Sequence, residues 1–392
     1  MRRLTPGLVG IATFLATCPF LIGGGSADGD IPVFRTYGDL LAAGNVPYRD
    51  FHPEYPPGAM PFFALPSLLV SDKNYLSVFQ VIAAAGLILC LGLLALLLAR
   101  LGMSARLRYA ALVFSGLAPL MLGAFVLRRF DMWPVAICLG VLLLLLADRP
   151  VPAFALLGVG AVVKVFPLIL LPVTLLAVDR RVRLRSVGAF CGVGVLAMGP
   201  FAILGHVGLY NSTMQQADRH LHLDAIGSSI LLVLHRPVRL AFDGGGWSVF
   251  GPGAGAAATL QTLAQVVGIG VAALLFARSG RGRWDLVTAV VATLAAGAFL
   301  GKVLSPQFLL WVAPLIVLTR AALPIALFTA SMLTTQLLFP DRYGGLLARH
   351  DGEIWLLLAR NALLVGTVAA LFACQARLRP SWLPQWALGP RE

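Results

Sequence analysis

The most polar early stretch of this chain, residues 28–58, contains the residue types that general acid and base chemistry requires. It reads DGDIPVFRTYGDLLAAGNVPYRDFHPEYPPG and directly follows the first apolar segment. A carboxylate here, such as that of Asp30, can be partly desolvated and still reach water, and burial raises the pKa of a carboxyl group toward the range of a general base. The alternative is structural, because Asp28, Asp30 or Asp39 would also serve to cap a helix or lie in a solvated loop.

Basic side chains near the ends of several apolar segments predict a second kind of chemistry, the binding of an anion. A cation at membrane depth is costly unless it is paired or does work. Lys binds phosphate as a point charge and Arg as a fork of donors, and the natural anion at the edge of a bilayer is a lipid phosphate. For Arg128 and Arg129, snorkelling of the side chain into the membrane interface is an equally good interpretation. The candidate cations are Arg128, Arg129, Lys164, Arg219 and Lys302.

Histidines and cysteines give no prediction of a metal site. The RHLH segment, residues 219–222, lacks tetrahedral ligand spacing, so its histidines are interpreted as solvated loop residues. The five cysteines lie in apolar segments without paired spacing, as small hydrophobic residues do. A phosphate-binding glycine-rich loop and a G-x-S-x-G motif are both missing from the sequence, which disfavours nucleotide hydrolysis. We therefore expect neither a metal nor a cofactor.

The composition indicates a membrane protein. Of 392 residues, 59% are hydrophobic and 12% are charged, which is about half the charged fraction of a soluble globular protein. The apolar runs are continuous, as in transmembrane helices, whereas strands of a membrane barrel would alternate. The net charge of +13 comes largely from arginines between these runs, which the positive-inside rule explains without a nucleic-acid partner. The predicted fold class is an all-α polytopic membrane protein.

The arginine clusters predict the topology of a single transmembrane domain, residues 1–392. Arg2 and Arg3 place the amino terminus in the cytoplasm. The first apolar run is interpreted as an uncleaved span, with signal peptidase cleavage at Ala27 as the alternative. Counting onward gives about ten crossings and one hairpin. The carboxyl-terminal tail, residues 377–392, is then cytoplasmic as well.

The predicted outer face carries two long loops, residues 26–58 and 206–255. In the first, apolar residues recur at helical spacing over residues 33–41, which predicts a short amphipathic helix on the membrane surface. In the second, the segment DGGGWSVFGPGAG is interpreted as a surface loop.

Residues 152–178 are predicted to form a helical hairpin instead of one crossing. A single crossing would place the basic cluster at residues 180–185 outside, against the positive-inside rule. Two half-length helices with Lys164 near their tip return the chain to the cytoplasm, and such interrupted helices are tolerated when they are buried in protein or line a cavity. Elsewhere, residues 109–127 are predicted to cross to the outer face, and Arg360 in the last span requires a partner within the bundle.

Four motifs occur in order along most of the chain: DIPVFRTYGDLLAAGNVPYRDFHPEYPPGA, RRFDMWP, AVVKVFPLILLP and LGKVLSPQFLLWVAPL. The first and the last are the more specific. Together they run from Asp30 to about Pro314 and resemble the polyprenol-phosphate-mannose-dependent glycosyltransferases of actinobacteria. These form family 87 of the glycosyltransferase-C superfamily.

The resemblance implies a glycosyltransferase-C-like bundle of about 10 to 12 transmembrane helices. It implies transfer of a sugar, with mannose as the first candidate, from a polyprenyl-phosphate carrier to a lipid-linked or glycan acceptor at the outer face of the plasma membrane. Members carry a catalytic acid in the first outer loop, which corresponds here to Asp30, with Asp28 as the fallback. The superfamily usually inverts the anomeric centre, and a single displacement needs one base and no covalent nucleophile.

The resemblance also implies roles for the other polar residues. The five candidate cations would hold the carrier phosphate. The sugar site would be shaped by Tyr37, Glu54, Tyr55, Asp131 and Gln307. Because the sequence has no large soluble outer domain, the acceptor is expected to be small, lipid-linked or held within the loops.

Two other functions remain open on the sequence. A transporter or flippase of lipid-linked sugars would use the same basic outer cavity without cleaving a bond. A structural membrane partner with a decayed site is disfavoured, because several separated polar motifs remain together.

Overall fold

The computed structural model describes residues 5–22, 29–70 and 74–377. Within these ranges, five helices are long and apolar enough to cross a membrane, namely Thr5–Ile22, Tyr75–Arg100, Arg180–Leu204, Ala254–Arg278 and Asp351–Gln375. The protein is therefore membrane-embedded and predominantly α-helical, as predicted, whereas the larger number of crossings stays a prediction. Asp28, Ala27 and residues 378–392 lie outside the described residues.

Contacts divide the chain into two compact units, residues 1–116 with 124–218 and residues 117–123 with 219–392. The helices of the first unit are α1 Thr5–Ile22, α2 Ile31–Ala42, α3 Met60–Leu69, α4 Tyr75–Arg100, α5 Ala105–Leu117, α6 Met132–Leu146, α7 Pro150–Val163, α8 Leu171–Ala177, α9 Arg180–Leu204 and α10 His206–Ala217.

Aromatic side chains join α2 to its neighbours in the first unit. Phe34 is fully buried, and its ring stacks on Phe63 with centroids 4.6 Å apart and on Phe79 at 5.4 Å. Phe34 and Gly38 lie one helical turn apart, so α2 turns a single face toward α3. The helix predicted around residues 33–41 is confirmed, and its location at the membrane surface stays a prediction.

Gly38 permits the close approach of α2 to α3. A Cβ atom here would collide with the carbonyl oxygen of Phe63 and would lie 2.5 Å from the Ser67 hydroxyl oxygen. We expect Gly38→Ala to lower the free energy of unfolding by about 1–3 kcal/mol, the usual cost of overpacking. Thermal unfolding of the detergent-solubilised protein measures the loss. Gly92→Ala in α4 is the control, because nothing lies within 4 Å of its added Cβ; an equal loss in both variants would contradict the packing argument.

The helix that precedes Lys164 stops where the sequence predicts. Lys164 has an extended backbone, with φ −156° and ψ 136°, and a 3₁₀ turn at Phe166–Leu170 precedes α8. Pro167 has no N–H to bond to the preceding turn, so α7 cannot continue through it. The interruption is confirmed, and the return of the chain to the same side of the membrane stays a prediction.

Residues 109–127 do not form one continuous helix, and their crossing of the membrane stays a prediction. Helix α5 ends at Leu117, within this range, and two 3₁₀ turns follow, at Ala118–Met121 and Ala124–Arg128. Pro119 lacks the N–H that an α-helix needs, and Gly123 has a φ of +85°, outside the helical region.

The second unit combines helices with a three-stranded antiparallel sheet of order β1-β3-β2. Its strands are β1 Leu221–His222, β2 Arg239–Asp243 and β3 Gly246–Phe250. Its helices are α11 Ile226–Val233, α12 Ala254–Arg278, α13 Arg283–Phe299, α14 Leu309–Ile316, α15 Ala322–Leu338, α16 Tyr343–Leu347 and α17 Asp351–Gln375.

The glycine-rich segment interpreted as a surface loop is instead a β-hairpin. Asp243 pairs with Gly246 across a two-residue turn. Gly244 and Gly245 fill that turn with φ of +56° and +78°, the left-handed conformation that such turns require. The helical class therefore includes a small sheet that the sequence interpretation missed.

Helix α13 is buried almost throughout. Its residues from Leu286 to Phe299 are all buried except Thr288. Small side chains let its neighbours approach, and a Cβ on Gly268 of α12 would lie 2.7 Å from Leu300. Helix α13 ends at Phe299, shortly before the KVLSPQ segment at residues 302–307.

Candidate functional site

Asp30 lies at the amino-terminal end of α2, and its side chain is not used as a helix cap. The residue has φ −85° and ψ −2°, and its carboxylate makes no capping hydrogen bond. The Arg129 guanidinium lies 3.5 Å away, and the side chains of Asp30 and Arg129 are 30% and 13% exposed. The Asp30 carboxylate is therefore partly accessible and faces a cation.

The backbone on both sides of this pair fixes the position of Arg129. Gly29 has a φ of +51°, and a Cβ on it would lie 2.8 Å from Arg129 Nη2. Arg129 Nη1 donates a hydrogen bond of 3.1 Å to the carbonyl oxygen of Arg128, whose own side chain is buried. Arg129 is therefore held between that carbonyl group and Asp30.

A second pair, Asp131 and Lys164, lies in the same unit. Lys164 Nζ donates a hydrogen bond of 2.7 Å to Asp131 Oδ1, and the two side chains are 12% and 0% exposed. Asp131 precedes α6 without capping it, and Lys164 follows α7 at the helix break. The ammonium group also lies 4.8 Å from the centroid of the Phe130 ring, a favourable cation–π distance.

Tyr55 lies among aromatic rings beside these charges. Its ring makes edge-on contacts with Phe34, Phe63 and Phe130 at centroid distances of 5.6, 5.5 and 5.4 Å. Burial raises the pKa of the Tyr55 phenol well above its ordinary value, and the negative charge of Asp30 raises it further. The hydroxyl group therefore stays protonated at neutral pH and remains able to donate a hydrogen bond.

Tyr37 and Glu54 meet through the backbone. The Glu54 N–H donates to the Tyr37 hydroxyl oxygen at 3.4 Å, and Gln216 Nε2 donates to the Glu54 carbonyl oxygen at 3.0 Å. Burial, followed by the charge of Glu54, raises the pKa of Tyr37. The segment containing Glu54 is thus fixed to both α2 and α10.

The first unit brings two carboxylates and two cations together around Tyr55, whose titration responds to Asp30, Arg129 and Asp131. The negative charges of Asp30 and Asp131 are balanced by the positive charges of Arg129 and Lys164. An anion that bound Arg129 would therefore compete with Asp30 for that cation.

The other three predicted site residues, Arg219, Lys302 and Gln307, belong to the second unit, and all are half-buried. The Lys302 carbonyl oxygen accepts a hydrogen bond of 3.0 Å from the backbone N–H of His222. Arg219 packs beside Gly244 in the hairpin turn. Their predicted meeting with Asp30 around one donor stays a prediction.

The histidines of the RHLH segment have separate environments. His220 Nδ1 lies 2.7 Å from Asp243 Oδ2 at an exposed position. His222 is buried, and this burial, followed by the charge of Arg219, lowers its pKa to about 4. Among the residues that the structure describes, no group of three or more His, Cys, Asp or Glu side chains is placed to hold a metal ion.

Sequence reasoning missed the partner of Arg360. This fully buried arginine donates a hydrogen bond of 2.8 Å to Asp224 Oδ1, and the Tyr343 hydroxyl donates to Asp224 Oδ2 at 2.9 Å. The signal was an arginine inside the last apolar span, which required a carboxylate. The sequence did not single out Asp224 among the acids of residues 206–255.

The fold and the site define a class, an α-helical membrane protein with buried pairs of acids and bases. The model of glycosyltransferase family 87 matches residues 51–306. The chain therefore belongs to glycosyltransferase family 87, and it is a glycosyltransferase. The resemblance seen in its motifs is confirmed at this level. The matched residues include Lys164 and Lys302, whereas Asp30 precedes them. A search of curated proteins finds no match.

Proposed function

We propose that the protein moves a sugar, with mannose as the first candidate, from a polyprenyl-phosphate carrier to a hydroxyl group of a lipid-linked or glycan acceptor. The reaction takes place at the outer face of the plasma membrane and inverts the anomeric centre. The observation that supports the proposal most is the Asp30 carboxylate, which does not cap α2 and lies 3.5 Å from Arg129, in a chain of family 87.

The proposed reaction is a single displacement. Asp30 accepts the proton of the acceptor hydroxyl group while the acceptor oxygen forms a bond to the anomeric carbon. The bond between that carbon and the phosphate oxygen breaks, and polyprenyl phosphate leaves with the bonding electron pair. The products are the glycosylated acceptor, polyprenyl phosphate and a protonated Asp30, which returns its proton to solvent.

Cations stabilise the negative charge that grows on the departing phosphate. In the first unit, Arg129 and Lys164 supply this charge, and each has a carboxylate partner that keeps it in position before the donor binds. In the second unit, Lys302 is proposed as a further phosphate ligand. Arg128 and Arg219 are the remaining candidates.

The polar and aromatic residues around the charges are proposed to bind the sugar. The neutral phenol of Tyr55 is suited to donate a hydrogen bond to a ring hydroxyl, and the buried Asp131 orients Lys164. The other proposed sugar contacts are Tyr37, Glu54 and Gln307.

The test supplies purified protein in proteoliposomes with polyprenyl phosphate carrying radiolabelled mannose, and with nucleotide-activated mannose in parallel. We expect labelled acceptor and an equal amount of polyprenyl phosphate from the lipid donor alone, with an inverted anomeric configuration by NMR. Passage of the intact lipid-linked sugar across the bilayer, without bond cleavage, would indicate a transporter. Transfer from the nucleotide sugar alone would contradict the proposed donor class.

A further inference from the structure

The turn that carries Lys302 has hydrogen bonds to three of its backbone carbonyl oxygens. Gln261 Nε2 donates to the carbonyl oxygen of Gly301 at 3.0 Å, and the His222 N–H donates to that of Lys302 at 3.0 Å. His222 Nδ1 lies 3.4 Å from the carbonyl oxygen of Leu304. The backbone on both sides of Lys302 is therefore fixed by two residues that lie elsewhere in the sequence.

Gln261 connects this turn to the start of α11. Its Oε1 accepts a hydrogen bond of 2.8 Å from the N–H of Gly227, which lies in the first turn of that helix and has no partner within it. The Gln261 side chain is 5% exposed, and a Cβ on Gly227 would lie 2.6 Å from Oε1. Both the nitrogen and the oxygen of the Gln261 amide are therefore hydrogen-bonded, and the missing Cβ of Gly227 leaves room for this side chain.

His222 is itself fixed by contacts with neighbouring residues. The Ser228 hydroxyl donates to the His222 carbonyl oxygen at 2.5 Å, and the imidazole ring packs on Gly246 of β3, where an added Cβ would lie 2.9 Å from Cε1. Two residues further on, Asp224 is bound to the buried Arg360. Because burial lowers the pKa of His222, the imidazole stays neutral and adds no second positive charge beside Lys302.

We propose that Gln261 and His222 are positioning residues, which hold the 301–304 turn so that the Lys302 ammonium group meets the donor phosphate. The inference rests on the proposed role of Lys302 as a phosphate ligand. A long, flexible side chain binds an anion well only when its backbone is fixed, since the cost of ordering has then been met during folding. If these hydrogen bonds served the fold alone, their loss would lower stability without acting through Lys302.

The test compares Gln261→Met with Gln375→Met. The two glutamines are matched, because each is 5% exposed and Gln375 Nε2 also donates to a backbone carbonyl oxygen, that of Ala272 at 2.6 Å. We expect Gln261→Met to raise the KM for the lipid donor by about five- to tenfold, the effect of one hydrogen bond, with kcat little changed. Gln375→Met should leave the KM near that of the wild type. Equal increases in KM for both variants would overturn the proposal.

A double-mutant cycle with Lys302→Met isolates the positioning role. If Gln261 acts through Lys302, adding Gln261→Met to Lys302→Met produces no further rise in KM. Additive increases would overturn positioning and leave Lys302 as a phosphate ligand. An unchanged KM in Lys302→Met alone would remove the phosphate role of Lys302, and the positioning proposal with it.

The same variants are compared for the Kd of polyprenyl phosphate and for amide hydrogen exchange at Gly227 and His222, neither of which needs turnover. Faster exchange at both amides and a matching rise in Kd in Gln261→Met would support positioning even if no sugar transfer were observed. Unchanged exchange in that variant would show that Gln261 does not hold the turn and would overturn the inference, whether or not the protein transfers sugar.

Discussion

Asp30→Asn is expected to lower the rate of sugar transfer by about 10²–10⁴-fold, the usual contribution of a general base. Asparagine has nearly the same shape as aspartate but cannot accept the proton of an acceptor hydroxyl group. The Asp30 side chain caps no helix and is 30% exposed, so its replacement should lower the unfolding temperature less than replacement of the fully buried Asp131 does. Initial rates with a polyprenyl-phosphate sugar, beside thermal unfolding of the same preparation, measure the two effects separately.

Asp39→Asn is the matched control for this variant. Asp39 lies in α2 as well, and its carboxylate accepts a hydrogen bond of 2.8 Å from Ser67 and faces Arg35 at 3.5 Å. Its replacement should preserve most of the transfer rate. Asp28→Asn tests the fallback acid. Nearly full transfer by Asp30→Asn would remove Asp30 as the base, and a large loss in Asp28→Asn alone would move that role to Asp28.

The helices of this protein could be predicted where local chemistry decides the backbone. Long apolar runs predicted the membrane class. The basic cluster at residues 180–185 predicted the break near Lys164, because a single crossing would place these arginines outside, and Pro167 cannot continue a helix. Hydropathy alone does not predict the interruption of the helix within residues 109–127. Pro119 and Gly123 within this range carried the contrary signal.

The β-hairpin could not be predicted with the same ease. Its glycine-rich sequence is typical of a loop as well as of a turn, and pairing decides between the two. Strand β3 pairs with β2 next to it and also with β1, which lies earlier in the chain. Such a contact depends on tertiary packing, which a local pattern does not contain.

The sequence predicts which residue types form the candidate site, but it does not predict which acid pairs with which base. The acids and cations stood out because charges are rare in this chain. Asp131 and Lys164 are separated by 33 residues, and Asp224 and Arg360 by 136, so only tertiary packing decides which acid meets which base. The predicted meeting of Lys302 with Asp30 is of the same kind and stays a prediction.

Substitutions in the Asp131–Lys164 pair are expected to change the stability of the protein and its rate of sugar transfer in different ways. Replacing one member, in Lys164→Met or Asp131→Asn, leaves a buried charge without its nearest counter-ion, which costs about 3–5 kcal/mol in comparable pairs. Each single variant should therefore unfold at a clearly lower temperature in detergent. The surface pair of Arg35 and Asp39 is the control, because its side chains are 38% and 49% exposed and such pairs contribute about 0–1 kcal/mol.

The double variant Lys164→Met with Asp131→Asn decides whether Lys164 has a role beyond its partner. Removing both charges removes the buried imbalance, so most of the lost stability should return. Transfer should nevertheless stay low, because no ammonium group then remains at this position to stabilise the charge on the leaving phosphate. Thermal unfolding and initial transfer rates of the same preparations measure both quantities. A double variant that regained both would show that the pair serves the fold alone, and the phosphate role would then fall to Arg129 and the remaining cations.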